Sequence, residues 1–208
     1  MKEIIDDVTE DGFEILLKYI YTDKLNDVDK ETLLEAHRAA STFQQKGLLR
    51  LCEERITKWE ITYDNVCSLL NQLSDIQSMK TRCLKFLKEN ALEVLCSEGL
   101  GQATANTFWL MFEGGYFKHA SPMARLKNAV RWAKEQLPDN CDSSMVRDLL
   151  LNTKPILGKC SLEELGSTDL ATIIAQYKNL LTPEESTTFF VNIHSPGSIP
   201  LPSWCKPE

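Results

Sequence analysis

The sequence predicts an all-α protein with at most one short N-terminal strand. Three observations predict it: apolar stripes at helical spacing, capping residues ahead of them, and a helical pattern that continues with little interruption from Ile61. Residues 13–52 organise the chain and read as three helices. In the first, Phe13, Leu16, Leu17, Ile20 and Tyr21 fall at i, i+3, i+4, i+7 and i+8, one apolar stripe. The turn Asp23-Lys24 leads into Leu25. Asp29 is the predicted cap of the second helix, whose Leu33, Leu34, Ala36, Ala39, Ala40 and Phe43 face inward; the small alanines admit a close neighbour. The third helix starts around Gln45 or Lys46 and buries Leu48, Leu49, Leu51, Cys52 and Ile56. Ahead of these, Glu3-Ile4-Ile5 reads as a short strand, followed by a turn that caps the first helix.

Beyond Ile61, Asp64 is read as the cap of a helix carrying Val66, Cys67, Leu69, Leu70 and Leu73, and Ser74-Asp75 as the cap of one carrying Ile76, Met79, Cys83, Phe86 and Leu87. A short helix from Ala91 follows, then one holding Phe108, Trp109, Met111 and Phe112 that stops at Gly114-Gly115. In that helix the aromatic cluster reads as core. Ser121-Pro122 opens the next helix, proline being suited to the first turn. Leu126, Ala129, Val130, Ala133 and Leu137 face inward there, with Trp132 beside them, and Pro138 closes it. Asp142 or Ser143 caps the following segment. Residues 161–166 and 169–180 and a helix from Thr182-Pro183-Glu184-Glu185, whose spacing is that of a capping box, complete the array. Residues 195–208 hold four of the eight prolines and no periodicity, and read as a linker or tail.

Composition narrows the function. The chain of 208 residues is 43% hydrophobic and 25% charged, an ordinary globular balance. A formal charge of −7 and the absence of any Lys/Arg run argue against nucleic acid as a partner. No apolar stretch is long enough for a membrane span. Seven cysteines with no C-x-x-C pair fit reduced, buried thiols and a cytoplasmic or nuclear compartment.

No motif for covalent chemistry, metal or cofactor is found. His37, His119 and His194 lie in separate segments without metal-ligand spacing, and His37 is placed on the exposed side of its helix. Cys52 and Cys83 fall on apolar faces without nearby cations, the setting of inert thiols. The glycine pairs 99/101 and 114/115 follow no strand and precede no Lys-Ser or Lys-Thr, so they stop helices and hold no phosphate. The chain is read as a binding protein and not an enzyme.

The pattern F-x-x-L-L-x-Y-I-Y-T over residues 13–22, followed by Ala39, Ala40, Phe43, Gln44, Gly47, Leu48, Cys52 and Glu53, resembles the C-terminal half of a BTB/POZ domain. Asn65-Val66-Cys67, Arg82-Cys83, Ser97-Glu98-Gly99 and Arg131-Trp132-Ala133 resemble the BACK domain that follows BTB in many adaptors; Leu100 stands where that family usually has phenylalanine. Residues 180–202 are similar to adaptors that carry a PHR β-sandwich downstream.

The resemblance implies residues 1–60 as the C-terminal half of a BTB/POZ domain, 61–194 as an antiparallel helical BACK array and 195–208 as the linker. It implies a substrate-recruiting subunit of a cullin-3 RING ubiquitin ligase, acting by proximity. It also implies a homodimer made through the BTB half that this chain lacks, so that residue 1 reads as a late start. By the same resemblance, partner contacts fall to Tyr21, Asp23, Leu25, Asp27, Leu49, Asn65 and Leu69. The alternatives are a cullin-independent helical scaffold and an incomplete fragment with impaired dimerisation, exposing apolar surface around Phe13, Leu17 and Ile20.

Overall fold

A computed structural model describes residues 8–205, and the strand expected at residues 3–5 lies outside them. Among the described residues the fold is all-α, with no strand. The chain divides into two compact units, residues 1–60 with 75–79, and residues 61–74 with 80–208.

The first unit packs α1 (Glu10–Thr22), α2 (Lys30–Thr42) and α3 (Lys46–Ile56) in chain order. Thr9 caps α1 by accepting from the Gly12 N–H at 3.2 Å, and Asp29 caps α2 by accepting from the Thr32 N–H at 2.9 Å. Ala36, Ala39 and Ala40 are fully buried, so α2 admits its neighbours closely. On the facing helix, a Cβ at Gly12 would lie 2.7 Å from the Glu35 carbonyl oxygen. That approach rotates α1 away from the predicted stripe. The buried face is Gly12, Leu16 and Tyr19, at i, i+4 and i+7. Phe13, Leu17, Ile20 and Tyr21 stay 39%, 40%, 55% and 86% exposed. His37 departs from its expected exposed position too. It is buried in α2, with its Nε2 3.8 Å from Glu53 Oε1 of α3.

The second unit holds α4 (Val66–Gln72), most of α5 (Gln77–Glu89), then α6 (Ala91–Cys96), α7 (Ala105–Glu113), α8 (Pro122–Glu135), α9 (Ser143–Asp148), α10 (Ser167–Gln176) and α11 (Pro183–His194). α8 is its centre, packing on α6, α9 and several short turns. Trp132 of α8 stacks on Phe108 with centroids 4.2 Å apart, and its indole N–H donates to the Ala103 carbonyl at 2.8 Å. A buried indole thus has both its ring and its polar atom satisfied. Phe108, Met111 and Phe112 are core as expected, while Trp109 is half-buried beneath the Lys154 and Lys159 ammonium groups. Arg131 donates to the carbonyls of Leu95, Cys96 and Ser97 at 2.8–3.3 Å, closing the C-terminal end of α6.

Four local expectations change. Phe43, expected to face inward, is 40% exposed. Asn65, not Asp64, is the cap residue of α4. Residues 161–166 do not form a helix: Ser161 takes a left-handed φ of 55°, separating the 3-10 turns Leu157–Cys160 and Leu162–Glu164. Within the segment read as a linker, residues 195–205 fold back on the unit. Trp204 donates to Glu185 and Cys205 is buried.

Candidate interaction surface

The connection between α1 and α2 is short, acidic and held from both sides. α1 ends where Asp23 turns left-handed, at φ 52°, with its N–H on the Tyr19 carbonyl at 2.7 Å. Tyr19 is buried. The side-chain hydrogen bond to Asp23, and then its own burial, push its phenol pKa up. Gly47 lies against that phenol: a Cβ there would overlap the Tyr19 hydroxyl. Leu25 anchors the middle of the connection in the core, at 8% exposure. Arg55 of α3 then donates to the carbonyls of Leu25 at 2.6 Å and Asn26 at 2.7 Å, and its guanidinium lies 3.5 Å from Asp27. Asp29 finishes the connection as the α2 cap. Its carboxyl pKa is lowered by the backbone and side-chain hydrogen bonds of Thr32.

The outcome is an ordered loop that presents Asp23 and Asp27 to solvent, next to the exposed Tyr21 in the last turn of α1. Leu25 supports that surface from beneath, and Leu49, half-buried on α3, lies in the same unit. Beside the loop on α1, Phe13, Leu17 and Ile20 form an exposed apolar face. Phe13 reaches Phe43 at the end of α2, with centroids 5.6 Å apart.

Asn65 and Leu69 belong to the second unit. Asn65 is half-buried and its Oδ1 accepts from the Thr62 N–H at 2.9 Å, while Leu69 is 8% exposed. The first shapes the entry to α4 and the second packs beneath it.

Sequence reading missed Arg55 and the Tyr19–Gly47 contact. The partners of Arg55 are main-chain carbonyls 29 and 30 positions away, which carry no sequence signal. The Tyr19–Gly47 contact did leave a trace, since both residues stand in the two quoted motif blocks.

Among the described residues, no three His, Cys, Asp or Glu side chains converge as a metal site. Burial pushes the thiols of Cys52, Cys67 and Cys160 up to about 12, and that of Cys83 to about 11. No helix of the described residues is long and apolar enough to cross a membrane.

Comparison with known proteins gives two similarities. Residues 1–60 match the sequence model of the BTB/POZ domain. Over 198 residues, 90% of this chain, the sequence is 24% identical to BTB/POZ domain-containing protein 6 of Xenopus tropicalis. The matched region makes up 35% of that relative, so the chain spans about a third of its length. No solved structure matches. Residues 1–60 of this chain are therefore similar to BTB/POZ domains.

Proposed function

We propose that this chain is part of a protein-interaction adaptor that, in its full-length form, recruits substrates to a cullin-3 RING ubiquitin ligase. The match of residues 1–60 to the BTB/POZ domain supports this reading. The adaptor acts by proximity, with no chemistry of its own. In this reading residues 61–194 are a BACK-type array that sets the reach of the assembly. The helical second unit and its buried Cys67 and Trp132 fit that assignment. Cullin contact falls to Tyr21 at the end of α1, to Asp23 and Asp27 of the loop over Leu25, and to Leu49 in the first unit; Asn65 and Leu69 are separate candidates in the second unit.

Calorimetric titration of the cullin-3 N-terminal domain into this chain tests the proposal. Binding is expected to weaken by roughly tenfold on Tyr21→Ala, about the loss that truncating an aromatic hot-spot residue causes. Unchanged affinity removes Tyr21 from the contact, and no binding at all favours the second reading.

That second reading is a cullin-independent helical scaffold. The exposed face of α1, with Ile20 at 55%, favours it, because such a face suits an apolar partner better than an acidic loop does.

A further inference from the structure

The second unit already holds a peptide in a groove, and the peptide is its own tail. After α11 the chain runs exposed through residues 195–200. Asn192 tethers this run: its amide donates to the Ile199 carbonyl at 2.8 Å, and its Oδ1 accepts from the Gly197 N–H at 2.9 Å. The tail then docks through the 3-10 turn Ser203–Cys205. The Trp204 ring lies 5.8 Å from that of Phe189, its indole N–H donates to Glu185 Oε1 at 2.6 Å, and Cys205 is buried. The Trp204 carbonyl passes so close to Gly158 that a Cβ there would overlap it.

The groove is built without the tail's help. Glu185 is the capping-box carboxylate of α11. Arg147 grips both of its oxygens at 2.7 Å, and the Thr182 N–H donates to Oε2 at 2.8 Å. Phe189 follows one helical turn later on the same element. When the tail leaves, the carboxylate stays fixed and aimed at an indole donor, which is pre-organisation for a ligand. Beside Ser203–Cys205 a cleft of about 440 Å³ stays open among the described residues. Trp109, Phe112, Pro155, Ser161, Arg125 and Lys159 line it.

We propose that this groove is a recognition site for a tryptophan-bearing peptide of a partner protein, and that the tail occupies it in cis. The tail displays the chemistry that fits: an indole to pair with Glu185 and Phe189, on a 3-10 turn that follows Pro200 and Pro202. A second copy's tail would gain nothing over the cis tail, because it offers the same contacts without the high effective concentration that the short tether gives. A partner gains, because residues flanking its tryptophan can fill the cleft that the tail leaves open. This inference is independent of any cullin contact.

The test uses the full chain carrying Trp204→Ala and a terminally blocked heptapeptide with the sequence of residues 198–204. The peptide is expected to bind the variant saturably at one site, and the unaltered chain at least roughly tenfold more weakly, since the tail competes there. The same peptide with alanine for tryptophan should not bind, and adding Glu185→Ala to the variant should abolish binding. A Trp204→Ala chain that keeps its helical circular dichroism and thermal midpoint yet ignores the peptide overturns the proposal. So does equal binding to both chains.

If the variant does not fold, the unaltered chain decides. The Trp204 indole N–H must exchange with solvent at least about tenfold faster than that of the buried Trp132, showing release of the tail alone. Equal rates mean that the tail never leaves the folded unit and overturn the proposal. A concentration-dependent dimer that Trp204→Ala abolishes would make a second copy the occupant, and overturns it as well.

Discussion

Gly47 has no side chain because Tyr19 needs the space. A methyl group there meets the phenol oxygen of a buried ring whose hydroxyl is engaged with Asp23, so neither can yield freely. Gly47→Ala should therefore lower the stability of the first unit by about 1–3 kcal/mol, the usual cost of overpacking, read as a lower denaturant midpoint. Tyr19→Phe in the same background removes the clashing oxygen and should recover part of the loss; strict additivity of the two changes would show that the contact is not the cause. Glu185 gives a second residue-scale expectation. Its burial alone would raise its pKa, but the hydrogen bonds from Arg147, Thr182 and Trp204 outweigh that and hold it below the ordinary value of 4.5. A carboxyl depressed in the folded state contributes stability above 4.5 that is lost as pH falls through the folded value. Acid titration of unfolding should show this loss below pH 4.5, and Glu185→Gln should flatten it.

At the scale of elements, the chain was legible where local rules decide. The caps Asp29 and Thr182 were predicted, the helix start at Ser121-Pro122 was placed, and of the alternatives Asp142 and Ser143 it is Asp142 that caps; the side chains of Asp29, Ser121, Asp142 and Thr182 all accept from backbone N–H groups. Rotation about a helix axis was less legible. The α1 stripe is apolar on two sides, and only the fit of Gly12 against Glu35 selects Leu16 and Tyr19 over Phe13 and Leu17. Helix ends at non-glycine residues were hidden as well, because Asp23 and Gln44 take left-handed φ of 52° and 53° where glycine is the readable signal. The tail misled for a related reason. Its prolines exclude regular structure but do not prevent docking through one tryptophan. Of the candidate surface, the sequence pointed to the loop after α1 but not to what stiffens it. Arg55→Ala removes the two carbonyl bonds to residues 25 and 26 without touching the exposed Tyr21. Amide exchange in residues 23–29 should then rise at least roughly fivefold while that of α2 is unchanged. A uniform rise across the first unit would show that Arg55 holds the whole unit and not its loop.

For the whole molecule, the cysteines serve as built-in reporters of opening. Of the seven, Cys96 is exposed and Cys141 half-buried, whereas Cys52, Cys67, Cys83, Cys160 and Cys205 are buried. Burial keeps Cys52, Cys67 and Cys160 protonated up to about 12. At pH 8 they therefore present neither a thiolate nor an accessible sulfur to a disulfide reagent. Reaction with such a reagent in excess should show Cys96 and Cys141 labelled first. Cys52, in the first unit, and Cys67, Cys83 and Cys160, in the second, should follow only at the rate at which their own units unfold. Two distinct slow phases would mean that the units open separately, and one shared phase that they open together. Cys205 separates the tail from the rest. It sits next to Trp204 in the docked turn, so labelling of Cys205 ahead of Cys160 would show the tail leaving an intact second unit, as peptide exchange in the groove requires. Labelling of Cys205 together with Cys160 would make residues 203–205 part of the core, and the groove would then have no vacancy to offer a partner.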